Sequence, residues 1–180
     1  NHQDSGRVMP DKRNAAAGTA YYVAASLALA AMVVFVELPD STRLLHVLHK
    51  TGHPLVFGAI ALMALAVIRA RPAALATRWW MPYLGALAIA VLVGGMTEMA
   101  QQFTHRGSSY VDVISDTVGA IACLAIHAAF AGGSAPRWPA WQQPGLLLIG
   151  LAAAIVAMAP LTTCLAAYAW RDALFPDIVQ

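Results

Sequence analysis

Charge is what this chain has least of. Only 11% of its 180 residues are Asp, Glu, Lys or Arg, 59% are hydrophobic, and the mean hydropathy is +0.63. Water-soluble domains carry roughly a quarter charged residues, so this balance argues against one. It also excludes intrinsic disorder, because apolar residues are too abundant for the chain to stay solvated. The net charge of +2 is too small, and the basic residues too dispersed, to point to nucleic acid. Cysteine is nearly absent. Cys123 and Cys164 stand far apart, which leaves no disulfide framework and no CxxC metal motif. There is no internal repeat, and no strand-like alternation of the kind a β-barrel needs. In lipid that leaves helices, whose backbone bonds close within each segment. The expected fold is all-α, a polytopic bundle of about five transmembrane helices.

Crossing the hydrocarbon takes about 20 apolar residues. Five stretches suffice: Thr19 to Leu38, Pro54 to Ala70, Pro82 to Gln102, Val111 to Phe130, and Gly145 to Ala169 with a kink expected at Pro160. Pro54 and Pro82 stand where a first helical residue would be, a position that suits proline. Residues 41–52 read as a separate interfacial helix, with Leu44, Leu45 and Leu48 on one face and His46, His49 and Lys50 on another. Gly52 is expected to end it. A polar tail is expected over 1–18 and a second over 170–180. Met9-Pro10 offers a natural start, with residues 1–8 then extraneous, and the ending after Phe175-Pro176-Asp177 would suit a following outer domain.

Lys and Arg set orientation in membranes. Seven (Arg7, Lys12, Arg13, Arg69, Arg71, Arg78 and Arg137) fall on the side of the N-terminus, and four (Arg43, Lys50, Arg106 and Arg171) on the other. The expected topology has a cytoplasmic N-terminus and an outside C-terminus. Tyr21, Tyr22, Trp79, Trp80, Trp138 and Trp141 mark one interface, and Tyr110, Tyr168 and Trp170 the other.

Under that topology the few ionisable residues of the spans gather at the outer ends. Glu37, Glu98, Asp112, Asp116 and His53 lie there, and the loops add His46, His49, Lys50, His105 and Arg106. A carboxylate at membrane depth costs roughly 2.5–3.5 kcal/mol on insertion scales and usually faces a partner or a wet cavity. Glu98, Gln101 and Gln102 can share one helical face. Asp112 and Asp116 are one turn apart at a helix start, where the dipole favours negative charge. Ser108 or Ser109 could cap that helix, and Arg106 could pair with Glu98 or Asp112. His127 reads as a satisfied residue near the inner end.

The run His49-Lys50-Thr51-Gly52-His53-Pro54-Leu55-Val56-Phe57 resembles the Asp-Lys-x-x-His-x-x-x-aromatic segment of VanZ-like membrane proteins. Glu98-Met99-Ala100-Gln101, then Arg106-Gly107-Ser108-Ser109, Asp112 and Gly119, resembles that family's Glu-x-x-Gln, Arg-x-x-Ser, Asp and Gly pattern. The resemblance covers residues 20 to 130. It implies a four-helix VanZ-like transmembrane domain over 19–131, followed by an additional helix over 145–169 that the family pattern does not include. Two positions depart from it: His49 replaces an Asp, and Asp116 replaces an Asn, which puts in doubt any role that needs an amide donor there. The resemblance implies a protein of the bacterial inner membrane and cell envelope, in a family linked with low-level resistance to the glycopeptide teicoplanin.

Three functional classes follow. The first is an outward-facing polar site that binds or acts on a cell-wall, glycan or lipid head-group component. Glu98, Arg106, Asp112 and His53 are its candidate catalytic residues. Lys50, Gln101, Ser109 and Asp116 are its candidate ligand-binding residues. The second is a non-enzymatic assembly subunit whose polar cluster is structural. The third is a zinc hydrolase using His46, His49 and His53 with Glu98 or Asp112, which have suitable ligand types but no HExxH-like motif. No cofactor and no metal are expected, and membrane lipids are the expected partners. The stripe Ser115, Gly119 and Cys123, with Gly94-Gly95, reads as close helix packing.

Overall fold

The computed structural model describes residues 12–35, 42–70, 78, 80–103, 110–131 and 139–174. Five helices account for nearly all of them: α1 (Lys12–Phe35), α2 (Arg43–Arg69), α3 (Met81–Phe103), α4 (Tyr110–Phe130) and α5 (Gln143–Leu174), the last preceded by a 3-10 turn at Ala140–Gln142. All five are long and apolar enough to cross a membrane, and no strand occurs among the described residues. The chain is a multi-pass membrane protein of all-α class. The expected tails are shorter than the sequence suggests. Helix begins at Lys12, where Ala15-Ala16-Ala17 favours it, and α5 continues to Leu174. Residues 1–11 and 175–180 lie outside the described residues.

One expectation about a helix break does not hold. Residues 43–52 are not a separate interfacial helix; they are the first turns of α2, which runs unbroken through Gly52 and Pro54. Thr42 caps its start, accepting a hydrogen bond from the Leu45 amide at 3.3 Å. Helix α5 carries Pro160 in its interior, as expected, with Thr162 and Thr163 donating to the Ala159 carbonyl at 3.0 and 2.9 Å. Gly-x-Pro favours a break locally. Pro54, however, is fully buried against α4, and in lipid a proline is tolerated where neighbouring helices cover the backbone it exposes.

Helices α2, α3 and α4 form the inner layer. Of the most apolar stretch of each helix, 39% is buried in α2 and in α4, against 6% in α1 and 11% in α5. Lipid tails are as apolar as leucine, so close packing rather than the hydrophobic effect holds such helices together. The seam is accordingly built from small residues. Ala61, Ala64, Ala86, Ala90, Ala120 and Ala128 pack with Leu65 and Leu124 in one cluster. Phe57, Ile60 and Val33 form a second, against α1. The expected small-residue stripe works here. A Cβ on Gly119 would collide with the Pro54 backbone, and one on Gly58 would collide with the Cys123 sulfur. On the far side of α4, Gly150 of α5 lies close to Ile126 and Ala122.

These contacts order the helices along the membrane normal. Pro54 meets Gly119 and Gly58 meets Cys123, so α2 and α4 run parallel. Phe57 covers Gly94 and Ile68 approaches Gly85, so α3 runs antiparallel to both. At the end holding the α2–α3 connection, Arg69 donates to the Tyr83 hydroxyl at 2.9 Å. The same hydroxyl lies 3.2 Å from His127 Nδ1, and the guanidinium sits 4.9 Å from the Tyr83 ring centroid. His127 is thus satisfied by Tyr83, a residue the sequence reading did not single out.

Candidate functional site

The polar residues collect at the opposite end, beside the α3–α4 connection. From the Pro54–Gly119 and Phe57–Gly94 contacts, one helical turn towards that end reaches Asp116 on α4, Glu98 on α3, and Lys50 and Thr51 on α2. Three helices therefore deliver polar groups to one level. Glu98, Gln101, Asp116 and Thr51 are buried, Asp112 and His53 are half-buried, and Lys50 is exposed. Asp112 and Glu98 both lie within electrostatic reach of Asp116. Because α2 is continuous, His49 and His53 share one face, with ring centroids 5.1 Å apart in an edge-on arrangement. Arg106, Ser108 and Ser109, with Glu37 and His105, lie outside the described residues.

The buried polar groups are not equivalent. Gln101 Nε2 donates to the Val33 carbonyl at 3.3 Å. Val33 is near the end of α1 as described, so Gln101 ties α3 to that end of α1. Thr51 and Thr97 turn their hydroxyls back onto the Val47 and Gly94 carbonyls of their own helices, each at 2.8 Å. Asp116 differs. It is 3% exposed, and its Oδ1 meets no hydrogen-bond donor among the described residues. Proline adds a second acceptor at this level. Pro54 has no N–H, so the Lys50 carbonyl lacks its helical donor. The sequence carried that signal in Pro54, but reading Pro54 as a helix start concealed it.

Beside the cluster, a groove of about 470 Å³ runs along the lipid-facing junction of α3 and α4. Glu98 and Gln102 line its polar end, and Met96, Gly95, Leu92 and Val91 continue it towards the middle of the bilayer. A Cβ on Gly95 would meet nothing within 4 Å, so this glycine leaves the groove open rather than admitting another helix. The expectation that Gly94 and Gly95 both serve helix packing therefore holds for Gly94 alone. Among the described residues no group of three His, Cys, Asp or Glu side chains could hold a metal ion. Chemically, the arrangement is rich in acceptors and suits hydrogen-bond donors or a cation. Compared with known proteins, the chain matches no family model, no curated protein and no solved structure.

Proposed function

We propose that the chain is a VanZ-like protein of the bacterial inner membrane whose polar cluster faces the outside of the cell. There it binds, or acts on, a cell-wall, glycan or lipid head-group component, in a role connected with glycopeptide resistance. The observation that carries the reading is the buried carboxyl of Asp116, with an oxygen that meets no donor among the described residues, beside Glu98 and Asp112. Buried polar groups are overwhelmingly hydrogen-bonded, and leaving one unmet costs about 1–3 kcal/mol. Ionisable groups at membrane depth are functional by default. The groove lets an amphiphile approach sideways from the lipid, with its polar part at Glu98 and Gln102 and its chain over Gly95. In this reading Lys50 and Arg106 hold anionic parts of the ligand. Glu98, Asp112 and His53 accept or move protons, and Gln101, Ser109 and Asp116 orient the ligand.

One observation favours a structural role for part of the cluster: Gln101 already spends its amide on the Val33 carbonyl. The two readings separate in a susceptible bacterium expressing the chain, with teicoplanin susceptibility and the thermal stability of the purified protein measured side by side. Glu98→Gln and Gly95→Leu, the second filling the groove, should each abolish any resistance while leaving the melting temperature nearly intact. If Glu98→Gln and Arg106→Lys both misfold or are degraded, the cluster is structural.

A further inference from the structure

The Arg69–Tyr83–His127 network, at the end opposite the polar level, joins three helices through one oxygen atom. Arg69 of α2 and His127 of α4 both approach the Tyr83 hydroxyl of α3, at 2.9 and 3.2 Å. Tyr83 is buried, so the meeting point lies inside the bundle. A guanidinium only donates, so Arg69 takes an acceptor position of that oxygen. A neutral imidazole with its proton on Nε2 leaves Nδ1 able to accept from the hydroxyl. A proton on Nδ1 reverses this. The imidazolium can no longer accept, and two cations then meet at one buried oxygen.

The amino-acid sequence offers no carboxylate to relieve that meeting. Helix α4 packs against α2, α3 and α5. From Pro54 to Arg69 the only titratable residue of α2 is Arg69, and from Met81 to Thr97 the only one of α3 is Tyr83. From Gln143 to Ala159, α5 has none. On α4 itself the nearest is Cys123, one turn back, a thiol and therefore neutral in the acid range. The connections 70–80 and 131–142 contain Arg71, Arg78 and Arg137 and no Asp or Glu. Asp4 and Asp11 precede α1, which packs against α2 and α3. His127 is half-buried in the last turn of α4, where the helix carbonyls favour a positive charge, so the ring has a reason to take a proton as well as a cation opposing it. We propose that this network is an acid-released clasp: neutral His127 holds the ends of α2, α3 and α4 together, and its protonation opens them. The clasp is independent of the polar level and of the function proposed for it.

Nitrogen NMR of the histidine-labelled protein in detergent reads the ring directly, with the His127 signals assigned by their loss in His127→Gln or His127→Asn. At about pH 8, Nε2 should carry a proton and Nδ1 none, and by about pH 5 Nδ1 should have gained one. A proton on Nδ1 at the higher pH, or none at the lower, would overturn the proposal. Thermal unfolding reads the consequence. Neutral His127 stabilises the fold above the ordinary histidine value of about 6.5, and that contribution is lost as the pH falls below it. Glutamine at the same place can accept the bond and does not titrate. Between about pH 8 and about pH 5 the wild-type protein should therefore lose about 2–4 °C more in melting temperature than His127→Gln, the size expected for one hydrogen bond in a chain of this length. The difference between the two proteins cancels the titration of the other histidines. Equal losses in both would show that no clasp opens.

Discussion

Replacing Gly119 by alanine tests the packing on which the polar level depends. The new methyl group would overlap the Pro54 carbonyl, and Pro54 Cα and C, at 2.6 Å, would have to retreat to at least 3.4 Å. Neither partner can yield by a side-chain rotation, since both are helix backbone. Overpacking a well-filled interior costs about 1–3 kcal/mol, and backbone against backbone belongs at the top of that range. Against this, exchanging glycine for alanine within a helix gains only about 0.5–1 kcal/mol. A net loss of about 2 kcal/mol corresponds to a fall of about 4–8 °C in melting temperature on the scale of soluble domains of this size. The control is Gly52→Ala, a helical glycine of α2, where a Cβ meets nothing within 4 Å and a small gain is expected. Thermal unfolding of both variants in detergent, followed by tryptophan fluorescence, gives the comparison. If Gly119→Ala melts no lower than Gly52→Ala, then α2 and α4 do not approach at Pro54, and the register that brings Lys50 level with Asp116 fails with it.

Two further outcomes follow from single hydrogen bonds. Gln101→Leu removes the donor to the Val33 carbonyl and should cost about 1 kcal/mol; limited proteolysis should then cut the α1–α2 connection faster, and an unchanged cutting rate would place the α1 anchor elsewhere. Tyr83→Phe breaks the bonds to both Arg69 and His127 while keeping the ring under the guanidinium, so a loss of about 1–2 kcal/mol in melting experiments is expected. In that variant, Arg69→Gln should cost only the remaining cation–π contact, about 0.5–1 kcal/mol, because the hydrogen bond between the two is already gone.

The helices were legible because lipid leaves little choice. A run of apolar residues the width of the hydrocarbon must close its own hydrogen bonds, and spans read at Pro82–Gln102 and Val111–Phe130 agree closely with α3 and α4. The assembly of polar residues at one end was legible for a related reason: ionisable groups in spans are rare enough that their positions along each helix can be compared directly. What could not be read was which local signals the bundle overrides. Gly52-His53-Pro54 carries the marks of a helix end and a helix start. The deciding fact, a glycine more than sixty residues later whose missing side chain admits the Pro54 backbone, is tertiary. The same holds for Gly95. Its neighbour Gly94 packs under Phe57, while Gly95 faces an open groove, and adjacent glycines look alike until the helix is rotated into place. Tyr83 was hidden because an aromatic near an interface is expected to anchor there, whereas this one is buried between Arg69 and His127.

The acceptor-rich character of the polar level narrows what the site suits. A network that existed only to join helices would be expected to close on itself, as Gln101 does on Val33 and as Tyr83 does between Arg69 and His127. At Asp116 it does not close among the described residues, and the same level holds the Lys50 carbonyl that Pro54 deprives of its helical donor. Both atoms are acceptors, and Glu98 and Asp112 add further carboxyl oxygens. Three carboxyl groups and a freed carbonyl in a low-dielectric setting complement a group that brings donors, such as the hydroxyls of a sugar or an amine. The open groove adds a demand for an apolar chain, because a fully water-soluble sugar gains nothing from Gly95 and Leu92. On the proposed reading, donors at one end and a hydrocarbon chain at the other favour a lipid-linked glycan over a free one as the ligand. The physical distinction is measurable: a chain-bearing glycolipid should protect the protein from thermal unfolding at concentrations where its deacylated head group does not.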